Sequence, residues 1–585
     1  MTLTNLNDHA PYKVLEQPLG TTHHVRVITI GAGASGLNMI RTLRKNIPDS
    51  ENVVYEKNPD IGGTWFENRY PGCKCDIPLH NYQFSWAPNP HWSSFYSGSS
   101  EIHQYFKGLV AREHLQDSIK LQHQVESAEW NEDEGQWHVV VRDLATDTII
   151  NDVAHFLLDG SGILNHWKWP EIPGLHSFKG DLVHSANWPA GWDYKGKRVA
   201  VIGNGSSGVQ IVPAMQPDVS TLVHVFRSPI WVAPPGLEGM SASTAGEEIA
   251  NLELDGDRFT PAQISRFEED KELYKRFIKA TEEVVNNKFS YVSSLCDFSH
   301  LVRIFDVFGQ LVTSTPLQGI VKEKMRDYMS KKLRGDTKLM DKLIPDFPFG
   351  CRRITPSVAY LDSLHESNMH LVTDGIANVF ESGFTTESGE TIFVDAIVCA
   401  TGFDLSFRPR FPVIGRTGNL QNIWTSQIPS SYMSCAIPGM PNYFTFLGPN
   451  APIGHGSVLT ITEHVAKYIV RLIRKCQEEG IKSICPKQDA VDDLNEHIAV
   501  FMPRTAWAGS CRSWFKNGET NGPVTALHPG SRIHWFHMLQ NFRGEDYEYT
   551  RWTANRFEYL GNGTSTLEGP GMNSTWYLDE PDSLF

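Results

Sequence analysis

Twice in this chain a run of β-forming residues empties into a glycine-rich turn, and no other feature restricts the fold as much. Val25-Arg-Val-Ile-Thr-Ile30 leads into Gly31-Ala-Gly33-Ala-Ser-Gly36, and Arg198-Val-Ala-Val-Ile202 leads into Gly203-Asn-Gly205-Ser206-Ser207-Gly208. A continuous apolar run suits a strand buried on both faces. In a strand–turn–helix unit of this kind the first glycine permits the tight turn, the second lets backbone approach a pyrophosphate, and the third lets helix pack on strand. The free amides and dipole of the helix that follows, Leu37–Asn46 after the first turn, favour a phosphate there.

The strand after each turn says which nucleotide it holds. Asn52-Val-Val-Tyr-Glu56 ends in an acid, placed to accept ribose hydroxyls. Leu222-Val-His-Val-Phe226 ends instead at Arg227 and Ser228. An arginine there pairs with a 2′-phosphate that a carboxylate would repel, so the second dinucleotide is read as NADPH.

The expected fold class is therefore α/β, two Rossmann-like dinucleotide-binding domains with a helical insertion in the second. Residues 21–170 and 386–585 form the first domain, residues 175–237 and 346–385 the second, and residues 238–345 the insertion, after an extension of residues 1–20. A chain of 585 residues is too long for one core and fits this division. Val125–Asp143 reads as a β-meander, and Phe156–Gly162 as the strand that returns to the first sheet. Glu247–Asn287 and Leu317–Leu343 are helix-periodic, either a cap that shapes substrate access or a packing flange. Thr391–Ala400 is a buried strand running into Thr401-Gly402-Phe403-Asp404, where the chain recrosses between the domains. Thr460–Glu479 is the clearest amphipathic helix.

Charge and cysteine usage exclude several partners. A net charge of −15 argues against nucleic acid and anionic membrane. No apolar run spans a bilayer and residues 1–20 lack a signal-peptide pattern, so a cytoplasmic protein with a polar leader is expected. The nine cysteines are scattered and odd in number, and Cys73-Lys-Cys75 matches neither zinc nor thioredoxin spacing, so free thiols and no metal are expected. The redox cysteine pair of a pyridine-nucleotide–disulfide reductase is missing beside the first turn.

Three stretches carry candidate chemistry. In Gly62-Gly63-Thr64-Trp65-Phe-Glu-Asn-Arg-Tyr70-Pro-Gly-Cys-Lys-Cys-Asp76, glycine lets backbone lie on a flat ligand while Trp65 and Tyr70 offer apolar walls. Asp76 is either a turn residue or the carboxylate that positions a cation. Gly350-Cys-Arg352-Arg353 supplies two arginines, either a solvated pair or a division of labour, Arg352 near a phosphate and Arg353 at the reacting centre. Between the cradles runs Phe178-Lys-Gly180-Asp-Leu-Val-His184-Ser-Ala-Asn-Trp188-Pro189. Trp514, in Cys511-Arg-Ser-Trp514-Phe, is either core or a cover on the nicotinamide side.

Taken together these residues resemble the Baeyer–Villiger monooxygenases, a family that uses FAD and NADPH. The family's F-x-G-x-x-x-H-x-x-x-W-P fingerprint is met at Phe178, Gly180, His184, Trp188 and Pro189, and its G-G-x-W-x-x-x-x-Y-P-G-x-x-x-D signature from Gly62 to Asp76. The wording around Tyr70–Pro88 and Asn165–Pro173 is most similar to fungal members acting on bulky, often polyketide- or terpenoid-derived, ketones. The resemblance implies oxygen insertion beside a ketone carbonyl, with a small-molecule ketone and dioxygen as partners. It implies FAD in the first cradle, NADPH in the second, Arg353 as the active-site arginine and Asp76 as its support. Arg227, Ser228 and Arg352 would hold the 2′-phosphate, Trp514 would lie near the coenzyme ribose, and His184 would act in the domain linker. A heteroatom (N or S) oxygenase or hydroxylase of the same flavin class, and a non-catalytic flavoprotein, are the alternatives.

Overall fold

The structure is a computed structural model that describes residues 12–234, 258–287, 316–454 and 456–578. Its frame is two five-stranded parallel sheets, each centred on a glycine-bearing strand. In the first the order is Tyr443–Thr445, Phe156–Asp159, Val25–Ile30, Ser50–Glu56, Ile119–Leu121. Alternate residues feed different cores, as the strand period of two requires. Val27, Phe156 and Leu158 pack with Met39 and Leu43 of the helix Ala34–Asn46 and with Ile461, Val465 and Ile469 of Val458–Glu478. Ile28, Ile30 and Leu157 face the antiparallel meander His123–Asn131, Gln136–Asp143, Thr148–Ala154 through Trp137, Val139 and Val141.

The second sheet runs Met369–Val372, Thr221–Val225, Arg198–Ile202, Ala396–Cys399, Asp181–His184, again parallel. This corrects two expectations. Ala396–Cys399 lies inside the second sheet, so the chain does not return to the first unit at residue 386. The reason is burial on both faces: Ala396 and Val398 enter one core, Ile397 and Cys399 the other, and such a strand needs a neighbour on each side. The fingerprint segment, expected as a linker, supplies the edge strand Asp181–His184.

The insertion does not belong to one unit. The helices Pro261–Glu269 and Lys271–Asn287 put Phe267, Tyr274 and Phe277 against Phe95 of the first unit. Tyr274 is held there by His80 and Gln83 at 2.8 and 3.1 Å. Pro316–Lys332 and Thr337–Leu343 instead put Val321, Met325, Met329 and Leu343 into the second unit's core. The rest of the expected insertion, residues 238–257 and 288–315, lies outside the described residues, as do residues 1–11 of the leader. The remaining leader is tied to the tail, Leu19 pairing with Thr564 and Thr566 at 2.8 and 3.0 Å.

The expectation of free thiols fails at one pair. Cys351 and Cys511, 160 residues apart, form a disulfide with Cα atoms 6.3 Å apart. Spacing along the chain carries no information about such a pairing; only the fold brings the two together. Cys73, Cys75, Cys399, Cys435, Cys476 and Cys485 are free and buried. No helix among the described residues is long and apolar enough to cross a membrane.

Candidate active site

Each glycine turn sits at the carboxyl end of a central strand, the edge where open parallel sheets bind ligands. Gly31 has φ +96°, and a Cβ there would lie 2.7 Å from the Gly160 carbonyl oxygen. A Cβ on Gly36 would run into the Gly31 carbonyl oxygen, and one on Gly208 into that of Gly203. Nothing larger than glycine fits these places without moving backbone.

Glu56 lies at the first turn, buried, accepting from the Ala32 and Asn58 amides at 2.7 and 2.8 Å. Burial raises its pKa and the two amides oppose that rise. The Gly62-Gly63 turn packs on the same cradle, a Cβ on Gly63 lying 3.1 Å from Cα of Gly33. Thr64 beside it is exposed, and Trp65 donates to the Tyr82 hydroxyl at 3.1 Å.

The two units touch where Tyr70–Asp76 crosses the second cradle's helix, Ser206–Met215. The Tyr70 hydroxyl donates to Gln210 at 3.0 Å, and Gln210 returns a bond to the Lys74 carbonyl at 3.0 Å. Gly72, at φ +77°, lies against the Gln210 carbonyl. Gln210 stands outside the glycine motif, and nothing in its local sequence signals this contact. Ser206, in the turn itself, hydrogen-bonds Thr355 at 2.9 Å.

Asp76 and Arg353 meet at this seam. Arg353 donates Nε and Nη2 to the two Asp76 oxygens at 2.6 and 2.8 Å, and Nη1 to the Ile453 carbonyl at 3.4 Å. The fork-on-carboxylate geometry fixes the guanidinium plane. The carboxylate raises the Arg353 pKa further above its ordinary value, against the opposing effect of burial, so the cation is permanent. Both side chains keep some accessible surface, 29% for Arg353 and 20% for Asp76, so the pair borders a cleft and not a sealed core.

Arg352 points elsewhere. Its Nη1 donates to the Pro229 carbonyl at 3.2 Å, its guanidinium lies 5.3 Å from the Phe347 ring, and its Nε is buried without an acceptor. Burial, then the Arg512 charge, lower its pKa. Arg227 is exposed and Ser228 half-buried, the Ser228 carbonyl accepting from Asn204 of the second turn at 2.7 Å. Arg227, Ser228 and Arg352 thus gather on the second cradle's side of the seam.

The fingerprint residues are mostly interior. Phe178 and Trp188 are buried and Pro189 is exposed, and a Cβ on Gly180 would strike the Asp395 carbonyl. His184 is buried, stacks on Trp167 with centroids 4.5 Å apart, and lies 3.3 Å from the Thr401 hydroxyl. Burial pushes its pKa down to about 4, so it is a neutral contact at the chain's crossing point. Gly402 follows at φ +87° and permits the turn out of the sheet. Trp514 is half-buried against Phe515, with centroids 4.5 Å apart.

Two parallel-sheet units, each with a glycine turn at the carboxyl end of its central strand, and a paired guanidinium at their seam define a two-dinucleotide oxidoreductase. The profile of the flavin-binding monooxygenase-like family matches residues 24–234. The FAD-binding monooxygenase tazF of Aspergillus terreus is 37% identical over 553 residues, covering 94% of this chain and 93% of that protein. A Baeyer-Villiger monooxygenase of Streptomyces coelicolor is 31% identical over 514 residues, 87% of this chain and 89% of its own. Among solved structures, cyclohexanone monooxygenase from Rhodococcus sp. Phi1 bound to NADP+ superposes with a TM-score of 0.75 at 24% identity, over 91% of this chain and 100% of that one. The chain belongs to the flavin-binding monooxygenase-like family.

Proposed function

We propose that this chain is a cytoplasmic Baeyer–Villiger monooxygenase that uses FAD and NADPH to insert one oxygen atom of dioxygen beside the carbonyl of a bulky cyclic or polycyclic ketone, giving an ester or lactone. The observation that carries the reading is the bidentate Arg353–Asp76 pair at the seam of the two units. The names of the Aspergillus and Streptomyces relatives support it.

The first cradle has the fit FAD needs: no side chain at Gly31, Gly33 or Gly36 and an acid, Glu56, at the end of the second strand. Gly63, Thr64, Trp65 and Tyr70 would border the ring system, with Thr401 and Gly402 behind it. The second cradle, Gly203 to Gly208, would take the NADPH pyrophosphate. Arg227, Ser228 and Arg352 would take its 2′-phosphate, for which the buried, acceptor-less Nε of Arg352 is suited. Trp514 would cover the ribose.

FAD held in the first cradle, with NADPH as its electron donor, would supply the activated dioxygen that this chemistry needs. The protein's part is electrostatic. Negative charge builds on oxygen during insertion, and a cation fixed beforehand stabilises it without reorganising. Arg353 is that cation, and Asp76 holds its fork in one orientation while leaving it charged. His184, neutral and locked between Trp167 and Thr401, contributes position and not proton transfer.

The test is the product of the purified enzyme with mono-, bi- and polycyclic ketones and with a sulfide. An ester or lactone one oxygen heavier than the ketone is expected. Sulfoxide alone would make the chain a heteroatom oxygenase.

A further inference from the structure

The Cys351–Cys511 disulfide joins two segments that the proposed reaction must hold in register. Cys351 immediately precedes Arg352 and Arg353, and Cys511 lies three positions before Trp514. The segments interlock beyond the bond itself. The Pro348 ring lies close behind Gly509, where an added Cβ would meet it at 3.1 Å. The Cys351 sulfur lies 3.3 Å from the Gly509 carbonyl, which also accepts from Nζ of the buried Lys516.

Three cations are brought together by this contact. Arg352 is close enough to feel the charge of Arg512, and Lys516 that of Arg352. Their hydrogen bonds all go to backbone carbonyls: Pro229 for Arg352, Gly518 for Arg512, Gly509 and Thr520 for Lys516. No carboxylate among the described residues forms an ion pair with any of them, in contrast to Arg353 with Asp76. Like charges held together without an acid repel one another, and a bound anion relieves them. A covalent tie keeps them in place until it arrives.

We propose that Cys351 and Cys511 are positioning residues, whose cross-link holds the arginine turn 348–353 and the loop 509–520 as one wall, so that Arg512 joins Arg352 in binding the coenzyme's 2′-phosphate. Lys516 anchors the loop from inside and adds its charge. The inference rests on the proposed use of NADPH and adds a second segment to that phosphate site. It also makes the site sensitive to thiol chemistry. A dithiol that passes two electrons and two protons to the bond leaves Cys351 and Cys511 as thiols, is itself oxidised to a disulfide, and frees the loop.

The experiment uses the FAD-loaded enzyme and two readouts. Alkylation of the unfolded chain with and without prior reduction, read by peptide mass, should show two fewer thiols before reduction than the nine after it, the missing pair being Cys351 and Cys511. Calorimetry with 2′-AMP and 5′-AMP then tests the wall. Reduction, Cys511→Ser and Arg512→Ala should each weaken 2′-AMP by roughly five- to twentyfold and leave 5′-AMP within twofold, as expected for losing one oriented charge contact. The flavin content of each sample checks that it is folded, and reduced wild type stands in for any variant that is not. A count of nine thiols without reduction overturns the cross-link. An unchanged 2′-AMP affinity after it is broken overturns the positioning role. An intact enzyme that does not distinguish 2′-AMP from 5′-AMP overturns the NADPH reading itself, a separate failure.

Discussion

Arg353 and Asp76 are separated by 277 residues of sequence, and the guanidinium lies on the carboxylate with two parallel hydrogen bonds of 2.6 and 2.8 Å. Each residue comes from a different segment of the seam: Asp76 from the stretch that crosses the second cradle's helix, Arg353 from the turn after Gly350. The pair is therefore a product of docking the units, and it reports on that docking.

Arg353→Ala should lower ester formation by about a hundred- to a thousandfold, the usual effect of removing one preorganised charge stabiliser. Flavin should remain bound, as read from its visible absorbance. Arg353→Lys should recover little, because an ammonium cannot reproduce the two-point grip on Asp76. Asp76→Asn keeps the shape and removes the counter-charge; a stability loss of about 1–3 kcal/mol is expected, less than for a fully buried pair because both side chains are partly accessible. Unchanged ester formation in Arg353→Ala would remove Arg353 from the mechanism.

Arg227→Ala should raise KM for NADPH at least about tenfold and leave KM for NADH nearly unchanged, because in the proposed site this exposed guanidinium meets the 2′-phosphate that only NADPH carries. Equal losses with both coenzymes would place the phosphate elsewhere.

Gly36→Ala tests the first cradle by its shape. The new methyl would press on the Gly31 carbonyl oxygen, backbone against side chain with no flexible atom to yield. The expected cost is about 1–3 kcal/mol of stability, together with loss of flavin on gel filtration. Wild-type flavin content in this variant would mean that the turn is looser than described.

Acid stability should show three buried imidazoles. Burial lowers the pKa of His80 to about 3 and of His184 and His224 to about 4. An unfolded imidazole titrates near 6.5, so below that pH the unfolded chain takes up protons that the folded chain refuses. The stability these groups contribute is full above about pH 6.5 and is lost as pH falls towards 4, at roughly 1.4 kcal/mol per histidine per pH unit. Chemical denaturation at pH 7, 6 and 5 should show this slope, and His224→Gln should lower it by about 1.4 kcal/mol per pH unit, the share of one histidine. A slope unaltered by that change would exclude His224 from the titration.

Much of this was legible in the chain. Both central strands, their glycine turns, the helix Val458–Glu478 and the meander follow from residue patterns over a dozen positions or fewer, where backbone sterics and burial act locally. Gly62–Asp76 and Arg352-Arg353 stand out in the sequence for the same reason: unusual residues lie together. The assignment of Ala396–Cys399 to a sheet was not legible, because an apolar strand carries no mark of which neighbours it will pair with. The two halves of the insertion, each amphipathic, likewise gave no sign that they pack on different units.

The sequence by itself determined that there would be two parallel-sheet cradles, the acid Glu56 at one and Arg227 at the other, because these features depend on short-range order and on residue chemistry. Only the tertiary structure decided what meets at the seam: Tyr70 with Gln210, Arg353 with Asp76, Cys351 with Cys511. Those contacts join segments more than a hundred residues apart, and they form only when two independently patterned cores dock in a single relative orientation.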